Sequence, residues 1–135
     1  MEYYGTEDAK LIRDPPYLVN HDGSPYDFSD DVGNGWGGIL ANAFKHIAEA
    51  FDKAGADFSE FSVSQIKEKF GELRIYTGAL DADVADQVYK IIDEAEAESG
   101  RTCEWCGEPG KARGGGWIKT LCDRCDKQKN GGELK

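Results

Sequence analysis

Apolar residues recur along this chain with two different periods. From Trp36 they fall at Ile39, Leu40, Ala43, Phe44, Ile47, Ala48 and Phe51, one stripe of an amphipathic helix. Gly55 stands where a left-handed C-terminal cap is wanted, so the pattern predicts a helix over 36–54. The period then drops to two. Phe61-Ser-Val-Ser-Gln65 and Leu73-Arg-Ile-Tyr-Thr77 alternate apolar and polar residues on either side of Gly71. They predict a β-hairpin with strands near 61–68 and 72–77, with Phe70, Leu73 and Ile75 turned inward. Val84, Val88, Ile91 and Ala95 restore the helical period; Asp81 or Asp83 caps this second helix and Gly100 stops it.

Residues 1–32 carry no such periodicity. Asp14-Pro-Pro-Tyr17 and His21-Asp-Gly-Ser-Pro25 are turn-like, which predicts an irregular arm whose Tyr17, Leu18, Tyr26 and Phe28 dock on the domain. Three segments follow: the arm (1–32), a helix–hairpin–helix body (33–100) and a cysteine-bearing module (101–135). The expected class is α+β, two helices packed on a small antiparallel hairpin, with the module appended.

That module contains the most specific chemistry. Cys103-Glu-Trp-Cys106 and Cys122-Asp-Arg-Cys125 are two C-x2-C pairs with fifteen residues between them. Each pair sets two thiolates on one side of an ion, and together they close a tetrahedron around structural zinc. Four thiolates leave no open coordination position, so the expected role is folding rather than catalysis. Gly107 suits a knuckle turn, 113–121 a short hairpin, and Asp126-Lys-Gln-Lys129 a brief helix. This order resembles a treble-clef finger of the GATA type; a zinc ribbon is the alternative.

Charge divides along the same line. Residues 1–100 hold 8 Lys and Arg against 21 Asp and Glu, whereas residues 101–135 hold 8 against 5. The acidic body argues against tight, non-specific DNA binding by its surface at large. Yet three of its eight cations, Lys67, Lys69 and Arg74, fall within one stretch, KEKFGELRIY. Alternation sets Lys67 beside Lys69 and Arg74 beside Tyr76, an outward face suited to phosphate with a ring for stacking. In the module Arg113, Lys119 and Trp117, with Lys111, Arg124, Lys127 and Lys129, offer a comparable surface. The alternative at both places is a solvated, internally paired surface.

Catalytic constellations are sparse. The chain has two histidines; His46 lies off the apolar stripe, and His21-Asp22 sits alone in the turn-rich arm. No Walker loop, dinucleotide fingerprint or nucleophile elbow occurs. Gly33-Asn-Gly-Trp-Gly-Gly38 opens a helix, where its glycines seat Trp36 in the core or, alternatively, admit a phosphate. No secretory signal or membrane-spanning run is evident, so a cytoplasmic protein is expected.

Gly-x-Gly-Trp, Lys-x-Lys-Phe-Gly-x-Leu-Arg-x-Tyr, Glu-Ser, Thr-Cys-Glu-x-Cys-Gly-x-Pro-Gly, Gly-Trp and Thr-Leu-Cys-x-x-Cys occur in that order between residues 33 and 125. The set resembles small phage and prophage zinc-finger proteins, some of which carry glycine at the position of Glu72 and cysteine near Val32. The resemblance implies a viral accessory protein in the host cytoplasm and supplies no activity. The sequence expectation is therefore a non-enzymatic, zinc-stabilised protein binding nucleic acid or a nucleotide-like phosphate. The competing expectation is an acidic effector that binds or inhibits a host DNA-binding or defence protein. A third is a nucleotide enzyme acting through His21 and Asp22.

Overall fold

The computed structural model describes residues 32–114 and 118–130. A 3-10 turn (Asn34–Trp36) enters helix α1 (Gly37–Ala54), and a second turn (Phe58–Glu60) leads to strands β1 (Val63–Lys69) and β2 (Glu72–Thr77). Helix α2 (Ala82–Ser99), strands β3 (Lys111–Arg113) and β4 (Lys119–Leu121), and helix α3 (Asp123–Asn130) follow. The fold is α+β, with two antiparallel hairpins that do not merge into one sheet. The arm residues Tyr17, Leu18, His21, Asp22, Tyr26 and Phe28 lie outside the described residues.

Helix α1 buries Ile39, Leu40, Ala43, Phe44, Ile47 and Phe51 along its stripe. Trp36, expected as its first residue, instead sits fully buried in the preceding 3-10 turn. Gly55 ends the helix at φ 70°, and Ala56 N–H reaches back to the Phe51 carbonyl at 2.9 Å. This is the left-handed cap that glycine adopts at no steric cost. Phe51 then meets Phe58 and Phe61 at ring separations of 5.3 and 5.9 Å, joining the helix to the entry of β1.

Strand β1 departs from simple alternation. Val63 and Ile66 are both buried although three positions apart, because a bulge between Val63 and Gln65 shifts the register by one residue. Without the extra residue one of the two would face solvent. Beyond the bulge, Ile66 pairs with Ile75 and Glu68 with Leu73 on the core side. Gln65–Tyr76, Lys67–Arg74 and Lys69–Glu72 pair on the outer side.

Phe70 and Gly71 connect the strands with φ of 54° and 84°, the type I′ geometry that favours Asn-Gly. Phe70 is 70% exposed and does not turn inward as its hydrophobicity suggested: the two-residue loop directs its ring away from the core. A bulky residue with positive φ costs about 1 kcal/mol relative to one that adopts it readily. Phe70→Asn is therefore expected to stabilise the fold by about 1 kcal/mol, seen as a higher urea midpoint at unchanged m-value. A lower midpoint contradicts this account of the turn.

Helix α2 covers the outer edge of β2. The Leu73 N–H donates to the Ser99 hydroxyl at 2.8 Å, and the Ile75 N–H donates to the Glu96 carboxylate at 3.0 Å. These side chains satisfy strand donors that would otherwise offer an open edge. The helix buries Val84, Val88, Ile92, Ala95 and Ser99. Ile92, rather than the expected Ile91, is the deeply buried residue; Ile91 is partly buried against the same core. Asp81 occupies the N-cap position without a side-chain bond, its carbonyl accepting from Val84 and Ala85 instead. The helix ends at Ser99, and Gly100 caps it as expected, in a right-handed conformation at φ −70°. A Cβ there would meet the Glu72 carboxylate at 3.0 Å.

Candidate metal centre

The first cysteine pair is folded by its own backbone. Cys103 N–H bonds the Glu108 carbonyl at 2.7 Å, Gly107 N–H bonds the Cys103 carbonyl at 2.9 Å, and Gly107 has φ 86°. The second pair straddles a helix start: Cys122 precedes α3 and Cys125 lies in its first turn. Strand β4 brings the pairs together, because the Thr120 carbonyl accepts the Glu104 N–H at 2.9 Å.

All four sulfurs lie within 4.8 Å of one another. Cys106 and Cys122 sulfurs are 3.6 Å apart, and the four cysteines are free of disulfides. A disulfide requires about 2.05 Å. A tetrahedral ion with metal–sulfur bonds of about 2.3 Å places its ligands about 3.8 Å apart. The spacing therefore fits a metal and does not fit a bridge.

Electrostatics favour thiolates unevenly. The Cys125 N–H, 3.4 Å from the Cys122 sulfur, draws the Cys122 pKa down to about 7. Burial pushes Cys125 up to about 12 and raises Cys106. Those two thiols need an ion to hold them deprotonated at neutral pH. The Cys106 sulfur in turn raises the pKa of Arg124, whose guanidinium offsets the negative cluster.

The module is docked onto the body through the first knuckle. Gly35 N–H bonds the Glu104 carbonyl at 2.7 Å, Gly33 N–H bonds the Glu104 carboxylate at 3.0 Å, and the Trp36 indole N–H bonds the Thr102 carbonyl at 2.9 Å. At the hairpin turn, the Thr120 hydroxyl donates to the Gly71 carbonyl at 2.6 Å. Gly33, Gly35, Gly71 and Thr120 are thus occupied in building this junction.

Glu104 escaped the sequence reading. It is 3% exposed and, besides Gly33, accepts a bond from the Lys119 ammonium at 2.9 Å. Its position inside the knuckle, Cys-Glu-x-Cys, was its only sequence signal. Glu104→Ala leaves a largely buried ammonium and a backbone N–H without partners, and is expected to cost about 3 kcal/mol. Lys119→Met with Glu104→Leu is expected to recover part of that loss, measured by denaturant unfolding of the metal-loaded protein.

The candidate ligand-binding residues separate into two groups. Arg113 is tied to Asp123 at 2.7 Å, Asp126 at 3.4 Å and the Leu121 carbonyl at 3.2 Å. Lys119 is paired with Glu104, and Arg74 with Glu72 at 3.0 Å and Glu96 at 3.6 Å. Lys67 and Lys69 instead lie over rings, 5.6 Å from the Tyr76 centroid and 5.8 Å from that of Phe70. Neither lysine forms an ion pair with a carboxylate among the described residues. Trp117 lies outside the described residues. His46 is exposed and, with Asn42, Glu94 and Glu98, lines a cleft between α1 and α2. No helix among the described residues is long and apolar enough to cross a membrane. Comparisons of the chain with protein-family models, curated proteins and solved structures found no match.

Proposed function

We propose that Cys103, Cys106, Cys122 and Cys125 hold one structural zinc ion in a treble-clef-like module, and that the protein binds nucleic acid or a nucleotide-like phosphate through its β1–β2 hairpin. Four clustered thiolates suit zinc over the harder divalent ions. The order knuckle, β3–β4 hairpin, then a helix bearing Cys125 supports a treble clef over a ribbon. In this reading the protein is a non-enzymatic accessory factor of phage type, acting in the host cytoplasm.

The observation that carries the binding reading is the outer hairpin face. Lys67 and Lys69 are its cations uncommitted to described carboxylates, and exposed Tyr76 and Phe70 lie beside them. Ammonium–ring contacts at exposed sites are worth about 0.5–1 kcal/mol, which a phosphate can readily replace. Lys67→Glu combined with Lys69→Glu is expected to weaken binding of oligonucleotides and nucleotides at least about tenfold. For oligonucleotides it also lowers the slope of log affinity against log salt by about two. Unchanged affinity for every probe rejects this reading.

A second reading rests on a separate observation. Asp83, Asp86, Asp93, Glu94 and Glu98 are all exposed along α2, an acidic surface suited to a basic host DNA-binding or defence protein. A stoichiometric host partner released by salt, and lost on reversing these charges, favours it. Recovery of no partner counts against it.

A further inference from the structure

We infer that the hairpin face takes single-stranded nucleic acid in particular, with bases stacked on Tyr76 and Phe70 and phosphates held by Lys67 and Lys69. The inference rests on the binding reading above and narrows it to one ligand class. Tyr76 lies on the outer side of β2 and Phe70 at the tip of the hairpin. At about 3.3 Å per strand residue, the rings are separated by on the order of 15–20 Å. Lys67 and Lys69 fall between them, so two cations lie between two rings along one outer face.

Duplex bases present only their edges in the grooves, whereas a strand-borne ring stacks on the face of an unpaired base. Two ammoniums are also few for duplex binding driven by phosphate neutralisation, especially on a chain of net charge −10. Arg74 helps by neutralising Glu72, the carboxylate on the same face. Phe70 supplies the sharpest argument. Its ring is 70% exposed and its backbone holds φ 54°, so neither core packing nor turn geometry accounts for a phenylalanine there. A base arriving on either ring displaces the lysine now lying over it and frees that ammonium for the adjoining phosphate.

The test compares a fluorescent single-stranded 12-mer (about one hairpin length with flanks), its RNA counterpart and the matched duplex, using the metal-loaded protein. Single strands are expected to bind at least about tenfold more tightly than the duplex. Phe70→Asn and Tyr76→Leu are each expected to weaken single-strand binding by about 5- to 150-fold, and Tyr76→Phe to retain it. Because Phe70→Asn relieves the turn, its thermal melt should not fall, which separates lost binding from lost fold. Equal or tighter duplex binding, or ring variants that bind normally, overturns single-strand stacking while leaving the phosphate-binding reading intact. Absence of binding to every strand, duplex and nucleotide overturns both.

Discussion

Stripping the metal with a chelator, or replacing Cys103 with serine, is expected to release Trp36 in the body as well as unfold the knuckle, β3, β4 and α3. The module's own buried cluster consists of Cys103, Leu121 and Cys125, with Trp105, Cys106 and Cys122 packed around it. Four of those six residues are the clustered cysteines, so little apolar burial would remain without an ion to hold them. A four-thiolate zinc site contributes about 10–16 kcal/mol, comparable to the whole stability of an ordinary domain. The effect crosses into the body because Gly33, Gly35 and Trp36 all donate hydrogen bonds to residues 102–104. Leaving a buried indole N–H and two backbone donors unsatisfied costs about 1–3 kcal/mol each where water cannot reach them. Native mass spectrometry should give one metal per chain, and the Trp36 indole N–H resonance should shift on chelation. A Trp36 resonance and a body melting transition indifferent to chelation would falsify this coupling. The pH dependence has a definite sign. The metal-bound state carries fewer protons than the metal-free state, so metal-linked stability rises with pH. It declines as pH falls below the value of about 12 at Cys125, and more steeply once Cys122 is also protonated below about 7, because each protonated thiol must release its proton to bind.

Gly35→Ala is expected to be about as damaging as loss of a core side chain, on the order of 3 kcal/mol, while Gly38→Ala is expected to stabilise. Both glycines belong to the same five-residue stretch, Asn34 to Gly38, yet their surroundings are opposite. A Cβ at Gly35 would overlap the Cys103 carbonyl oxygen and lie 2.5 Å from the Gly107 nitrogen and 2.7 Å from the Glu104 carbonyl carbon. All three atoms are backbone, and the knuckle they belong to is held by its own hydrogen bonds, so nothing flexible yields. A Cβ at Gly38 meets nothing within 4 Å, and the residue is exposed in the first turn of α1. There alanine gains about 0.5–1 kcal/mol of backbone entropy and propensity. Denaturant unfolding, with metal content measured in parallel, reads both signs. Equal tolerance of the two substitutions would remove the case for knuckle docking.

Legibility in this chain followed sequence distance. The α1 stripe, the glycine cap at Gly55 and the four cysteines were readable because each depends on neighbours within a few turns. The Ser64 bulge was not, since the alternation of β1 is interrupted by one residue whose effect shows only in the pairing with β2. Ile91 and Ile92 could not be told apart by period alone, because which of them faces the core depends on how α2 lies along the edge of β2. The candidate site divided for the same reason. Nothing near Arg113, Lys119 or Arg74 in the chain indicated that Asp123, Glu104 and Glu96 would engage them.

Local composition by itself determined two helices, a hairpin turning at Gly71 and a cluster of thiolates suited to one ion, because periodicity and C-x2-C spacing are short-range properties. Tertiary structure alone decided that the segment before α1 holds the first cysteine knuckle, through Gly33 to Glu104 across 71 residues and Trp36 to Thr102 across 66. It also decided that Lys67 and Lys69, unlike Arg74, Arg113 and Lys119, remain uncommitted to described carboxylates on an outward face with Tyr76 and Phe70. Those outcomes depend on which distant groups meet when the core closes, and a carboxylate neutralises only the cation that packing brings within reach.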